Sequence, residues 1–213
     1  MRTAARLGWL ALWLPATVWA GTVQVTVLAR DGQPLPDAVV TLEPAGPRAA
    51  APAPAPVTIR QEGLAFVPAL TVVPVGSRVT FTNQDRFEHH VRGTTGSPLQ
   101  AAGREEGFEL RMGGRVEGQP APSASVVLNE AGPVRLGCHL HGSMRGAIYV
   151  TDSPWVMRTD AQGRITLNDV PDGPATVRVW HADQLLDSPP RSLNVVSVTP
   201  MQFETPIQPR RRR

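Results

Sequence analysis

Apolar and polar residues alternate over Val23, Val25 and Val27, and an Asp31-Gly32 turn separates this stretch from a second apolar run, Ala38–Leu42. A period of two is that of a strand with one face buried. The signal recurs along the chain. Residues 58–93 read as strand-rich: Phe66-Val67-Pro68, then Leu70–Val75, the Gly76 turn and Val79–Thr82. Residues 94–125 are looser and hold the acidic pair Glu105-Glu106, with one strand predicted near Phe108–Met112. Val126–Leu128, Val134–Cys138 and Ala147–Thr151 are further predicted strands. From residue 156 to 196 short strands and tight turns return, with turns at Asp160–Gly163 and Asp172-Gly173 and alternation at Ile165/Leu167 and Val177/Val179. Nowhere does a helical period run beyond a turn or two, and no internal repeat is visible. Many short strands bounded by turn residues predict an all-β chain built from β-sandwiches.

The two ends and one interior stretch depart from this pattern. Met1–Arg6 is positively charged, Leu7–Leu14 is apolar, and Val18-Trp19-Ala20 precedes Gly21 with short side chains at the positions a secretory peptidase reads. Residues 1–20 are therefore expected to be a signal peptide. Its apolar run is too short to span a bilayer, although an uncleaved anchor is the alternative. No other stretch is apolar enough to cross a membrane, so the mature chain is expected to have no transmembrane segment and to reside in the periplasm. Residues 46–57, AGPRAAAPAPAP, form an Ala/Pro linker with nothing to build a core from. Residues 199–213 read as a basic C-terminal tail ending in Arg210–Arg213, either solvated or touching an acidic partner or anionic lipid.

With 213 residues, 41% of them hydrophobic and 18% charged, the chain has material for a core and is not globally disordered. Its net charge of +3 misleads. Six of the 21 arginines lie within Met1–Arg6 and the last four positions, so residues 21–209 carry 15 Arg against 18 Asp and Glu. That body has no basic face for a nucleic acid.

Cysteine and histidine carry the chemistry. A single cysteine, Cys138, excludes a disulfide scaffold, and a lone thiol in an oxidising compartment needs an occupant for its sulfur. Four of the five histidines fall into two clusters, His89-His90 and His139/His141; the fifth, His181, reads as a surface or structural residue. A thiolate, two imidazoles and a weak thioether form the trigonal-plus-axial set of a blue-copper centre. The sequence supplies Cys138, His141 and Met144 on one loop with C-x2-H-x2-M spacing, and His89 from a distant strand end. Soft sulfur favours Cu(I), imidazole favours Cu(II), and a trigonal compromise needs little rearrangement between the two. The plain alternatives are a core methionine at Met144 and a buried thiol at Cys138. His139, one residue past the cysteine, is expected to face the other way and not to ligate. Asn83 and Asp85 read as turn and hydrogen-bond residues.

Residues 59–152 resemble a cupredoxin of the plastocyanin/amicyanin type. The resemblance rests on Phe66, Pro68, Gly76, Val79-Thr80-Phe81, Asn83, Asp85, His89, Val91, Gly132, Cys138, His141, Met144, Gly146 and the closing Ile148-Tyr149-Val150. The spacing from His141 to Met144 is that of amicyanins. The N-x-D-x-x-x-H element with the C-x-x-H-x-x-M loop is similar to periplasmic proteins labelled methylamine utilization or plastocyanin-like. The resemblance implies a Greek-key sandwich over 58–152 and one type 1 copper ion. Its equatorial ligands would be His89, Cys138 and His141, its axial ligand Met144, with His89 favoured over His90 by alignment. It also implies transient redox partners such as a c-type cytochrome or a dehydrogenase. The chain departs from the family where Asn commonly follows the first histidine and the cysteine: here stand His90 and His139.

Residues 22–45 and 157–181 resemble the early and late strands of a carboxypeptidase-regulatory or transthyretin-like sandwich. Neither piece alone can bury two faces of a sheet. Residues 21–45 and 153–198 are therefore expected to join into one Ig-like domain with the cupredoxin inserted or flanked between them; two independent appendages are the alternative. The function expected is single-electron transfer, with copper storage or delivery as the second reading and a structural protein with a decayed site as the third. An enzyme is not expected. A copper oxidase needs further histidine clusters, and no nucleophile elbow is present.

Overall fold

The computed structural model describes residues 20–46, 49–95 and 107–209. Residues 1–19 of the expected signal peptide, the Glu105-Glu106 pair and Arg210–Arg213 lie outside the described residues. Every regular element among the described residues is a strand, as the alternation predicts. β1 (Ala20–Leu28) and β2 (Val39–Pro44) come first. The middle of the chain supplies β3 (Val57–Glu62), β4 (Ala65–Val67), β5 (Leu70–Pro74), β6 (Ser77–Asn83), β7 (His89–Thr95), β8 (Gly107–Met112), β9 (Ser123–Leu128), β10 (Gly132–Cys138) and β11 (Arg145–Thr151). β12 (Val156–Arg158), β13 (Arg164–Pro171), β14 (Gly173–Trp180), β15 (Arg191–Val195) and β16 (Val198–Glu204) complete the order.

These strands make two sandwiches. In the first, the sheet β13-β1-β16 packs on the sheet β12-β2-β14-β15 around a core that includes Val25, Leu42, Ile165, Val177 and Phe203. Its sheets mix strands from both flanks: β1 pairs with β13 and β16, and β2 with β12 and β14. In the second, β5-β11-β10-β7-β8 faces β4-β3-β6-β9 across Ile59, Phe66, Phe81, Val91, Leu136 and Ile148. Phe66 and Phe81 meet edge to face at 6.3 Å in its centre. The alternation that marked these strands is the burial pattern itself: Val23, Val25 and Val27 are buried while their neighbours are not.

The boundary expected at residue 199 is corrected. β16 runs parallel to β1 from Val198 to Glu204, and Phe203 and Ile207 are buried in the first core. The physical reason lies in the alternation of Met201 and Phe203, which offers one apolar face. Pro200 disguises it, yet proline is tolerated there because β16 is an edge strand. His181, read as surface or structural, is buried, and its Nδ1 accepts the backbone N–H of Asp183.

The sandwiches meet along β11 and β14. Val39, Leu70, Ala147 and Trp180 form a small shared cluster. Tyr149 and Thr41 hydroxyls lie 3.2 Å apart across the seam. From β10, the Arg135 guanidinium donates to the carbonyls of Ala182 and Gln184 and lies over the Trp180 ring.

Candidate metal centre

Two strand ends and one loop build the site. β7 begins at His89 and β10 ends at Cys138; the strands are antiparallel neighbours with Cys138 opposite Val91. The chain then turns through His139–Met144, closed by Met144 N–H donating to His141 O at 2.9 Å, before β11 starts. In the register of β7 and β10, His89 and Cys138 project to the inner side and are buried, and the turn brings His141 back over them, partly exposed.

Cys138 Sγ lies 3.6 Å from His89 Nδ1 and 3.4 Å from His141 Nδ1. One ligand atom from each of the three residues lies within 4.8 Å of the others. A metal bound to sulfur at about 2.3 Å and to imidazole nitrogen at about 2.0–2.1 Å, at angles of roughly 110–120°, separates these donors by about 3.6–3.8 Å. The three side chains thus stand nearly at the spacing a transition-metal ion imposes, and the donor set, one soft sulfur and two imidazoles, suits copper or zinc. Met144 is buried and packs in the same core cluster as Cys138.

The orientation of His89 is fixed from behind. Asp85 Oδ2 sits 2.9 Å from His89 Nε2. Burial pushes the Asp85 carboxyl upward, but the hydrogen bond with His89, the backbone N–H groups of Gly63 and Leu64 and the charge of His89 together hold it below the usual aspartate value. An ionised carboxylate only accepts, so Nε2 carries the proton and donates. With that proton on Nε2, Nδ1 is the nitrogen that faces the sulfur. Such a carboxylate–histidine pair is the outer-shell arrangement that sets a ligand's tautomer.

Asp85 is itself held by Asn83, which is fully buried. Its amide donates to Phe87 O at 2.7 Å and Gly113 O at 2.9 Å, and its Oδ1 accepts Asp85 N–H at 2.9 Å. Both residues act as the turn and hydrogen-bond residues expected of them.

The residue the sequence reading missed is Phe87. Its ring lies 5.2 Å from both the His89 and the His141 rings, and those two lie 5.0 Å apart, so the three rings pack against one another beside the candidate ligands. The only sequence signal was an aromatic two residues before a candidate ligand. Phe87 is 43% exposed and Leu140 is 47% exposed, which puts apolar surface beside the partly exposed His141. His90 and His139, expected not to ligate, lie outside the cluster. A backbone bond ties the two ligand segments together: His139 N–H donates to His90 O at 2.9 Å.

No protein-family model and no curated protein matches the chain. Among solved structures it is similar to a reduced-state mutant of amicyanin, at 21% identity over 52% of this chain and 99% of that one, with a TM-score of 0.36. It is similar to a purple cupredoxin from Nitrosopumilus maritimus, at 19% identity over 45% of this chain and 99% of that one, with a TM-score of 0.36. A copper-containing nitrite reductase from Thermus scotoductus SA-01 is similar at 24% identity over 51% of this chain and 25% of that one, TM-score 0.36.

Proposed function

We propose that this chain is a cupredoxin-type, type 1 copper protein that carries single electrons between redox partners in the periplasm. The observation that carries the reading is Cys138 Sγ placed 3.6 and 3.4 Å from two imidazole Nδ1 atoms, with Cys138 and His89 buried and His141 partly exposed. His89, Cys138 and His141 would be the equatorial ligands and Met144 the weak axial one. When bound, copper supplies a one-electron couple. The protein's residues do the rest. Asp85 fixes the His89 ring, the Asn83 amide fixes the loop that bears Asp85, and the buried strand ends hold Cys138. Donors fixed in this way change little between two oxidation states, which keeps the reorganisation small.

His141 is the ligand nearest solvent, so its ring edge is the exit for the electron. Phe87 and Leu140 beside it offer a small apolar contact, suited to weak, short-lived docking of a partner such as a c-type cytochrome or a dehydrogenase. In this reading the protein is a carrier and not an enzyme, and its first twenty residues direct its export.

The test is the visible absorption spectrum of the purified protein titrated with Cu(II), beside Cys138→Ser. An intense blue or green band saturating at one copper per chain, and absent in the variant, is expected. A colourless protein, or only the faint absorption of histidine-bound Cu(II), overturns the reading. The partial exposure of His141 favours a second reading, copper storage or delivery. Rapid loss of copper to a chelator would support it, and slow loss would count against it.

A further inference from the structure

Next to the inward-facing His89 and Cys138, His90 on β7 and His139 just past the end of β10 form a second pair of imidazoles. Successive side chains alternate across a strand, and burial follows: His89 and Cys138 are buried, His90 is half-buried and His139 is exposed. The backbone bond from His139 N–H to His90 O holds the two positions side by side. Their rings lie 5.5 Å apart, tilted by 45°. From the neighbouring strand β8, Glu109 brings Oε2 to 3.1 Å from His90 Nε2. His90 Nδ1 is buried without a hydrogen-bond partner. An orphaned buried nitrogen costs free energy that an apolar side chain would avoid, so packing does not account for an imidazole here.

We propose that His90, His139 and Glu109 form a second metal site on the outer face of the sheet, back to back with the first. Two imidazole nitrogens and one carboxylate oxygen suit Cu(II) or Zn(II). The absence of sulfur disfavours Cu(I), and the histidines disfavour Mg(II) and Ca(II). His90 and Glu109 already converge, and the exposed His139 ring completes the set by turning toward them. The remaining coordination positions face solvent. Charge nearby limits the affinity: Arg92 Nε lies 3.8 Å from Glu109 Oε1, whereas Arg111, opposite His90 in the ladder, is drawn 3.5 Å from Glu88. Oε2 is thus the oxygen for the metal, and the site is weaker and faster to exchange than the buried one. Because His139 directly follows Cys138, the two sites are joined through a single peptide unit.

The site does not depend on the first site's identity, and the experiment separates the two. Cu(II) bound per chain is counted by equilibrium dialysis and the bound ion is examined by electron paramagnetic resonance. Two ions are expected in the wild type, one in His139→Asn, one in Cys138→Ser and none in the double variant. The ion left in Cys138→Ser should show a tetragonal nitrogen/oxygen signal. His90→Phe, which replaces the orphaned nitrogen by carbon, should lose the outer ion while keeping the wild-type melting temperature. One ion in the wild type, lost in Cys138→Ser alone, overturns the outer site and leaves the inner one standing. Two ions retained in His139→Asn and in Glu109→Gln also overturn it. One ion in the wild type and in Cys138→Ser, lost in His139→Asn, supports the outer site while removing the inner.

Discussion

Asp85 Oδ2 stands 2.9 Å from Nε2 of His89, four residues along the chain, and the same carboxylate accepts the backbone N–H groups of Gly63 and Leu64. Both of those residues have positive φ, at 61°, so the tip of the β3–β4 hairpin and a metal-centre histidine share one anchor. Asp85→Ala is expected to lower metal affinity by about 10–100-fold, the usual loss for an outer-shell partner. Competition with a chelator of known affinity measures it. An unchanged affinity would reduce Asp85 to a turn residue.

Asn83 makes three hydrogen bonds from a fully buried position. At about 1 kcal/mol net for each bond, with two carbonyls and one N–H left facing a cavity, Asn83→Ala should cost roughly 3 kcal/mol or more. Urea unfolding of the metal-free protein reads this directly, and a cost below about 1 kcal/mol would mean that water replaces the amide.

Met144→Leu conserves volume in a buried position and should cost less than about 1.5 kcal/mol of stability. If Met144 is the axial donor, its loss leaves a three-coordinate site, which Cu(I) tolerates better than Cu(II), and the reduction potential should rise. Potentiometry of the copper-loaded protein decides; an unchanged potential makes Met144 a core residue only.

Tyr149 is the single tyrosine in the chain, so phenolate absorbance follows its ionisation alone. Burial pushes its pKa above the usual tyrosine value, against the opposing hydrogen bond with Thr41. With the folded pKa raised, the contribution to stability is complete below the unfolded value near about 10, and is lost as pH rises through the folded one. Stability should therefore fall above about pH 10 in the wild type and fall less in Tyr149→Phe. Phenolate absorbance in folded and denatured protein gives the two pKa values, and equal values would refute the shift.

Phe203 is 1% exposed in the first core, and the Arg191 guanidinium lies 4.7 Å from its ring centroid. Phe203→Ala should destabilise the protein by about 3–5 kcal/mol. A solvated tail would give almost nothing, so thermal or urea unfolding distinguishes a strand from a frayed end.

The strands were legible because a half-buried strand writes its burial into the sequence: Val23, Val25 and Val27 alternate in both. The metal loop was legible because Cys138, His141 and Met144 lie within one turn of chain. What could not be read depends on contacts between distant segments. Phe87 meets His141 only once β7 and β10 pair, and no spacing encodes that. β16 was hidden by Pro200 and by the arginine run that follows, since an edge strand needs only one paired side. The link from Asp85 to Gly63–Leu64 spans hairpins and has no local signature.

The first sandwich takes β1 and β2 from the start of the chain and β12 to β16 from its end, with the second sandwich between them. A chain emerging in order can complete the metal-bearing module once Thr151 has appeared. β1, however, sits centrally between β13 and β16, so it has no neighbour until Pro171 has been made and lacks the second until Glu204. Its valine face must stay soluble through that interval, because pairings this distant close late and slowly. The inner module thus has all its strands by Thr151, whereas the outer one is completed only by strands that follow it and closes around its two ends.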